Sequence, residues 1–354
     1  MDMCPTELKL ILAPRRRFEA IDVRARIAHS SDLLRQHSRA LYCSFHTTAG
    51  YLDRSLSLRL NNSQDLLSRF FNAFRALFPE GAEYSHDQID RRTELSDAQK
   101  IIEPRNGDSH LTFIGAGLRN CVTHRTDASC PVYLIELDGT TAAFRRERKT
   151  SIIGFDRERI VADMSVRIPV SKHPIDSVNL ADPRLGLVER VNELLQRLGV
   201  EYARVDLLVD LAERNVGLTV NEYETLLIKH DLVEVLRNPL HFAKIKGRHM
   251  IEDPLSIPAK TVAYAQYDAV RMLNSLMEAL RLDQSSFERL VAKMLSFPAR
   301  CFFRSRRVSF LATSNDGACR PRLVRGCYQS PILVQWQSAE KQTRVIDVNI
   351  VELT

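Results

Sequence analysis

The amino-acid sequence predicts an α+β protein made of two halves of like element order, each a layered β-sheet or sandwich with flanking helices. Three observations lead there. Short apolar runs of strand length alternate with stretches of helical spacing. The second half runs strand, helix, strand, helix, long excursion, closing strands, which repeats the order of the first. A chain of 354 residues is also long enough for two domains of ordinary size, expected at 1–160 and 161–354.

In the first half, strands are expected over residues 8–13, 41–45, 111–114, 132–137 and 151–155, each a short apolar run. Over 65–78, Leu66, Leu67, Phe70, Phe71, Phe74 and Leu77 recur at helical spacing and form one buried face. Residues 83–107 are polar and of mixed charge, a long loop or broken helix, and long loops in compact domains are more often functional than idle. Residues 156–182 read as a connector with room for a strand over 166–170. The amphipathic run 187–198 ends at Gly199, a helix stop. Strands follow over 203–211 and 216–220, and a helix over 226–236 ends before Pro239. Helices over 268–280 and 287–295 precede closing strands at 308–312, 332–336 and 344–351.

Composition is that of a soluble globular protein, 44% hydrophobic and 27% charged. No apolar run approaches the roughly 20 residues that span a bilayer. The apolar stretch 8–13 lacks a basic region ahead of it and reads as a first strand rather than a signal peptide. The seven cysteines are scattered and odd in number, which suits reduced thiols in a cytoplasmic protein better than a disulfide framework. Net charge is +6, much of it in the clusters Arg15-Arg16-Arg17, 145–149 and 304–307. These are either solvated turns or sites for an anionic small molecule such as a phosphate ester. Nucleic acid is not expected, because no aromatic-interleaved basic helix accompanies them.

Three histidines stand in distinctive settings: His46 in Ser44-Phe45-His46-Thr47-Thr48-Ala49-Gly50, His86 in Tyr84-Ser85-His86-Asp87, and His110 in Gly107-Asp108-Ser109-His110. Neutral imidazole is the commonest ligand for a transition metal, and three imidazoles leave a coordination position for water or substrate. Their spacing is not a local metal motif, so alone it is a weak signal.

These settings resemble the YjbQ-like family, described as secondary thiamine-phosphate synthases. Its pattern runs H-T-[ST]-A, N-E-N, a helix, Y-x-H-D, S-H, G-T-W-Q, then closing strands with an acidic residue and a basic pair. Here His46-Thr47-Thr48-Ala49, Tyr84-Ser85-His86-Asp87, Ser109-His110, the strand ending in Glu136, and Arg145-Arg146 match in turn, over roughly residues 5–155. Two elements are missing: Asp53-Arg54-Ser55 and Asn61-Asn62-Ser63 stand near the N-E-N position, and Asp127-Ala128-Ser129-Cys130 at the G-T-W-Q position. Both reappear in the second half as Asn221-Glu222-Tyr223, followed by Lys229-His230-Asp231, and as Gly326-Cys327-Tyr328-Gln329. The histidine position of that half holds Asp210-Leu211-Ala212-Glu213.

The resemblance implies a degenerate tandem repeat in which each half keeps what the other lost, and so one composite site within a chain or between subunits. His46, His86 and His110 would hold a divalent metal, zinc first, then iron or manganese. Asp87 or Glu136 would orient a ring or join the ligands. Glu222 is the general-base candidate, its alternative being a solvated turn residue. Asn221 either orients substrate or caps a helix. Arg145 and Arg146 would fork onto a phosphate or carboxylate, with Thr47, Ser109 and Gln329 also near substrate. Tyr328 and Gln329 equally suit ordinary strand packing.

The function expected is metal-dependent transferase, lyase or hydrolase chemistry on a small anionic metabolite. The substrate is expected to have diverged from the family's displacement of pyrophosphate by a thiazole phosphate. A non-catalytic metal- or ligand-binding protein of the same descent is the alternative. The family's symmetric trimers imply a homo-oligomer here, without membrane or nucleic-acid partners.

Overall fold

The computed structural model describes residues 4–28, 31–127, 130–140, 145–237, 305–314 and 320–354. The helices expected over 268–280 and 287–295 lie outside the described residues. The first half runs β1 (Thr6–Leu12), β2 (Glu19–Asp22), α1 (Val23–Ala28), α2 (Leu33–Gln36), β3 (Arg39–Ser44), β4 (Ala49–Tyr51), α3 (Arg54–Arg59), α4 (Gln64–Leu77), α5 (Asp97–Ile102), α6 (Gly107–Ala116), β5 (Cys121–Arg125), β6 (Tyr133–Glu136) and β7 (Arg148–Phe155). The second runs β8 (Glu158–Pro169), β9 (Asp176–Asn179), α7 (Leu187–Leu198), β10 (Tyr202–Val209), β11 (Val216–Asn221), a π-helical turn (Leu226–Asp231), α8 (Leu232–Arg237), β12 (Arg307–Thr313), β13 (Arg322–Val324), β14 (Ser330–Gln335) and β15 (Thr343–Leu353). The protein is a mixed α+β molecule with antiparallel sheets.

The chain forms two compact units, and each draws on both halves. The first comprises Met1–Arg54, Gly117–Tyr223 and Phe303–Thr354, the second Ser55–Ala116 and Glu224–Phe302. The first unit holds every described strand. Its sheets are ordered β1-β7-β3-β5 and β2-β6-β4 from the first half, and β8-β15-β10-β12-β13 and β9-β14-β11 from the second. The orders correspond strand for strand, with β13 an addition at one edge. The segments assigned to the second unit leave the sheets at corresponding places, after β4 and after β11.

Alternation along the strands explains the packing. On β3, Ala40 and Tyr42 face a core shared with Val23 and Ile27 of α1 and Leu33 of α2. Leu41 and Cys43 point the other way, into a layer with Ile153, Phe155, Tyr202, Leu311 and Leu353 that joins the two larger sheets. The second half has its own core, where Leu187, Val191 and Leu195 of α7 cover Val205, Leu207, Phe310 and Val348. A strand buried on both faces reads as a continuous apolar run, which is why β3 was legible.

The expected strand over 111–114 is corrected: these residues lie inside α6. Leu111, Thr112, Phe113 and Ile114 are buried, and so are Gly107, Asp108, Ser109 and His110. A helix buried on nearly all sides has no polar face to reveal its period. The connector over 156–182 is also corrected, since most of it is β8 and β9. β8 is an edge strand whose outward positions carry Arg159, Asp163 and Arg167, a polarity typical of sheet edges but easily mistaken for a loop. Within 83–107 the broken-helix reading describes α5, which Ser96 and Gln99 close with a reciprocal capping box.

Candidate functional site

In the first unit, β3 and β4 are joined by the four residues Phe45, His46, Thr47 and Thr48. Three contacts from the second half fix this loop. Gln329 is 1% exposed, and its Nε2 donates to Ser44 O at 3.0 Å and to His46 O at 2.9 Å. The buried Asn221, last residue of β11, donates from Nδ2 to Thr47 O at 3.2 Å, while its Oδ1 accepts from Glu222 N at 2.8 Å. Gly326 lies against the Phe45 peptide so closely that a Cβ there would overlap Phe45 O and stand 2.7 Å from the carbonyl carbon. The loop therefore has its own carbonyls tied to buried amides.

So held, His46 presents an unusual group. The ring hydrogen-bonds to the Lys149 backbone, while the buried Nε2 has no partner. With Nδ1–H donating to a carbonyl, Nε2 carries the free lone pair. The imidazole pKa falls to about 3, chiefly through burial and then through the positive charges of Arg148, Arg146 and Lys149. His46 is thus neutral at pH 7, with an acceptor atom directed into cationic surroundings.

Beneath the loop, Glu136 and Arg148 form a buried ion pair. Arg148 Nη2 reaches Glu136 Oε1 at 2.6 Å, its Nε meets Glu136 Oε2, and Nη2 also donates to Thr48 Oγ1 at 3.0 Å. Burial raises the Glu136 pKa against the opposing pull of Arg148. Arg146 is paired with Asp138 at 2.7 Å. Arg145 donates from Nε to Pro14 O at 2.5 Å and from Nη2 to Ala13 O at 3.1 Å. Glu136, Arg145 and Arg146 thus hold the fold together. Arg148 was missed in the sequence because its partner lies 12 residues away on β6, a strand of a different sheet, so the pair forms only where the two sheets meet.

The corresponding loop of the second half joins β10 to β11 and carries Asp210, Leu211, Ala212 and Glu213. Here Arg344 pairs with Glu213 at 2.8 Å and donates to Gln335 Oε1 at 3.2 Å, and Arg306 donates to the carbonyls of Asp210 and Glu213. An ion pair occupies this loop where the first half has a bare imidazole.

The second unit contains the other two histidines. His86 is fully buried, with Nδ1 3.3 Å from Glu224 Oε2 and Nε2 3.1 Å from Asn106 Oδ1. The Asp231 carboxylate accepts from Ser85 N at 2.8 Å and from His86 N at 2.9 Å. Burial raises the Asp231 pKa to about 6. The His110 ring stands edge-on to His86 with centroids 4.9 Å apart. Asp87 accepts from Gly107 N at 2.9 Å and so caps α6, the buried helix that carries Ser109 and His110. Glu224 and Asn106, the partners of the His86 ring, were missed because their roles depend on contacts 138 and 20 residues distant in sequence.

Of the three histidines, His46 belongs to the first unit and His86 and His110 to the second. The two ring nitrogens of His86 each lie within hydrogen-bond distance of a protein oxygen, Glu224 Oε2 and Asn106 Oδ1. Among the described residues no group of three or more His, Cys, Asp or Glu side chains is arranged to hold a metal ion. Of the remaining predicted residues, Thr47, Asn221, Gln329 and His46 are brought together, and Glu222 is half-buried beside Asn221.

No described helix is long and apolar enough to cross a membrane. No family model and no curated protein matches the chain. Among solved structures it aligns with a YbjQ-like protein of unknown function from Sulfolobus solfataricus P2, at 14% identity over 55% of this chain and 99% of that one, TM-score 0.28. A hypothetical protein from Aeropyrum pernix K1 aligns at 12% identity over 54% and 99%, TM-score 0.28. An uncharacterized protein of the YjbQ/UPF0047 family from Clostridium acetobutylicum aligns at 14% identity over 41% and 97%, TM-score 0.27.

Proposed function

We propose that the chain is a tandem repeat of a YjbQ-like unit with one working site at the His46 loop, acting on a small phosphorylated or carboxylated metabolite. The observation that carries this is the unpartnered Nε2 of His46, a buried lone pair beside Arg146, Arg148 and Lys149. A buried polar atom left without a partner costs about 1–3 kcal/mol, so a group that satisfies it when bound is the natural reason to keep it. With a pKa near 3 the imidazole is a poor base in the empty site. An anion bound there offsets the cations, raises that pKa and lets Nε2 accept a proton from the same molecule. Glu222 is the nearby carboxylate for a second proton transfer. The reading needs no third histidine, since His86 is committed to Glu224 and Asn106. A homo-oligomer, trimeric or smaller where the tandem arrangement replaces subunit contacts, belongs to the same proposal and is read by light scattering.

Turnover of a panel of phosphorylated and carboxylated metabolites by wild type and His46→Gln tests it. Loss of about a hundredfold or more in kcat, with the fold intact, is expected. Equal turnover in the two proteins would overturn the assignment of His46.

A second reading is favoured by one observation: Glu136, Arg145, Arg146, Asn221 and Gln329 all hold the fold together. In a non-catalytic binding protein, His46→Gln weakens ligand binding and no metabolite of the panel is consumed.

A further inference from the structure

A cavity of about 510 Å³ opens in the first unit, and none of its lining residues belongs to the His46 loop. Its wall brings six arginines (Arg39, Arg54, Arg119, Arg125, Arg204 and Arg307) against two carboxylates, Asp53 and Glu158. Sequence scatters them over 269 positions. The fold collects them because β3 and β5 of one large sheet and β10 and β12 of the other contribute to the same wall. The volume lies within the range of small-molecule sites.

The cations divide into a fixed floor and an open rim. Arg204 is buried and held by Asp206 at 3.0 Å and by Glu158 at 2.6 Å. Arg119 donates to Arg307 O at 2.8 Å and to Ser305 Oγ. At the rim, Arg39, Arg54, Arg125 and Arg307 are exposed. Arg125 pairs with Asp127, Arg307 reaches Asp206 at 3.3 Å, and Arg39 approaches Glu158 at 3.6 Å. The Arg54 guanidinium makes no hydrogen bond or ion pair with any described residue. Converging guanidinium forks of this kind suit phosphate oxygens, which accept paired N–H donors.

His124 adds a second, independent indication. It is 6% exposed, lines the cavity, and its buried Nε2 has no hydrogen-bond partner. The Tyr42 ring packs edge-on to it at 5.9 Å. Burial first, and then the charge of Arg54, lowers the His124 pKa to about 4, so the ring is uncharged at pH 7. Cys121, Val122 and Val308 supply an apolar part of the lining, suited to the organic portion of a ligand.

We propose that this cavity is a second binding site, separate from the His46 loop, for a small molecule bearing two or more linked phosphates. A single phosphate would fill only part of a cavity of about 510 Å³ that six arginines line. A nucleic-acid surface would present its cations along an extended stripe and not around a concavity.

Calorimetric titration of the full-length protein with pyrophosphate, ATP and inorganic phosphate tests the site. The comparison variant is Arg54→Glu/Arg125→Glu, two exposed positions whose exchange leaves the fold measurable by circular dichroism. Pyrophosphate and ATP are expected to bind wild type at least about tenfold more tightly than inorganic phosphate, and about tenfold more weakly in the double variant. His46→Gln is expected to bind them like wild type, which separates this site from the one proposed above. Absence of binding by both polyphosphates, or unchanged binding in the folded double variant, overturns the proposal. A short RNA duplex that binds more tightly than ATP, and is lost in the double variant, reassigns the surface to nucleic acid.

Discussion

Replacing Gly326 by alanine tests whether the second half really holds the His46 loop. Gly326 is not at a positive φ, so the added methyl meets no backbone penalty of its own. Its only cost is steric, and the obstacle is rigid: Phe45 O, its carbonyl carbon at 2.7 Å and its Cα at 3.3 Å. Main chain cannot swing aside as a side-chain tip would, so the loop must retreat by about an ångström to restore van der Waals separation. Such a retreat loosens the Gln329 bonds to Ser44 O and His46 O, now 3.0 and 2.9 Å. Two hydrogen bonds at about 1 kcal/mol each and an overpacking cost of about 1–3 kcal/mol give an expected loss of about 3–5 kcal/mol. Urea unfolding followed by far-ultraviolet circular dichroism measures it, with Tyr328→Ala as control. Tyr328 is 59% exposed, so its truncation should change stability by no more than about 0.5 kcal/mol. If Gly326→Ala is as stable as the control, the loop is not seated on this glycine and the composite His46 site is refuted.

Other outcomes follow from the same geometry. Arg148→Met strands Glu136 in a buried position and is expected to destabilise by about 3–5 kcal/mol, with Glu136→Gln/Arg148→Met recovering part of the loss, both read by urea unfolding. The folded His46 pKa of about 3 lies below the ordinary 6.5, so unfolding takes up a proton between these values. Its contribution to stability is therefore complete above 6.5 and is lost as pH falls towards 3. The stability of wild type relative to His46→Gln should fall on acidification through that window, and a constant difference would refute the lowered pKa. Elemental analysis of the purified protein by mass spectrometry should find no near-stoichiometric transition metal that disappears in His46→Ala/His110→Ala. Stoichiometric zinc lost in that variant would restore the three-histidine centre.

The elements that the sequence shows plainly are those in which one local period dominates. Helix α4 was legible from Leu67, Phe70, Phe71 and Phe74, now buried together with Phe70 and Phe71 5.2 Å apart. Helix α7 shows the same clarity, with Leu187, Val191 and Leu195 inside and Gly199 in a left-handed conformation at its end. Helix α6 and strand β8 were obscured for opposite reasons. The first is buried almost all round and the second, at a sheet edge, is largely open to solvent, so neither alternates as its type should.

The chain alone, through residue types and local spacing, determined the α+β class, helices such as α4 and α7, and His46, Asn221 and Gln329 as residues worth attention. Tertiary structure decided what each of them does. Asn221 and Gln329 reach loop carbonyls 174 and 283 residues away, His86 is enclosed by Glu224 and Asn106, and six arginines line one cavity with His124. A hydrogen bond or an ion pair depends on distances of a few ångströms, and only the folding of the sheets brings residues so distant in the chain that close.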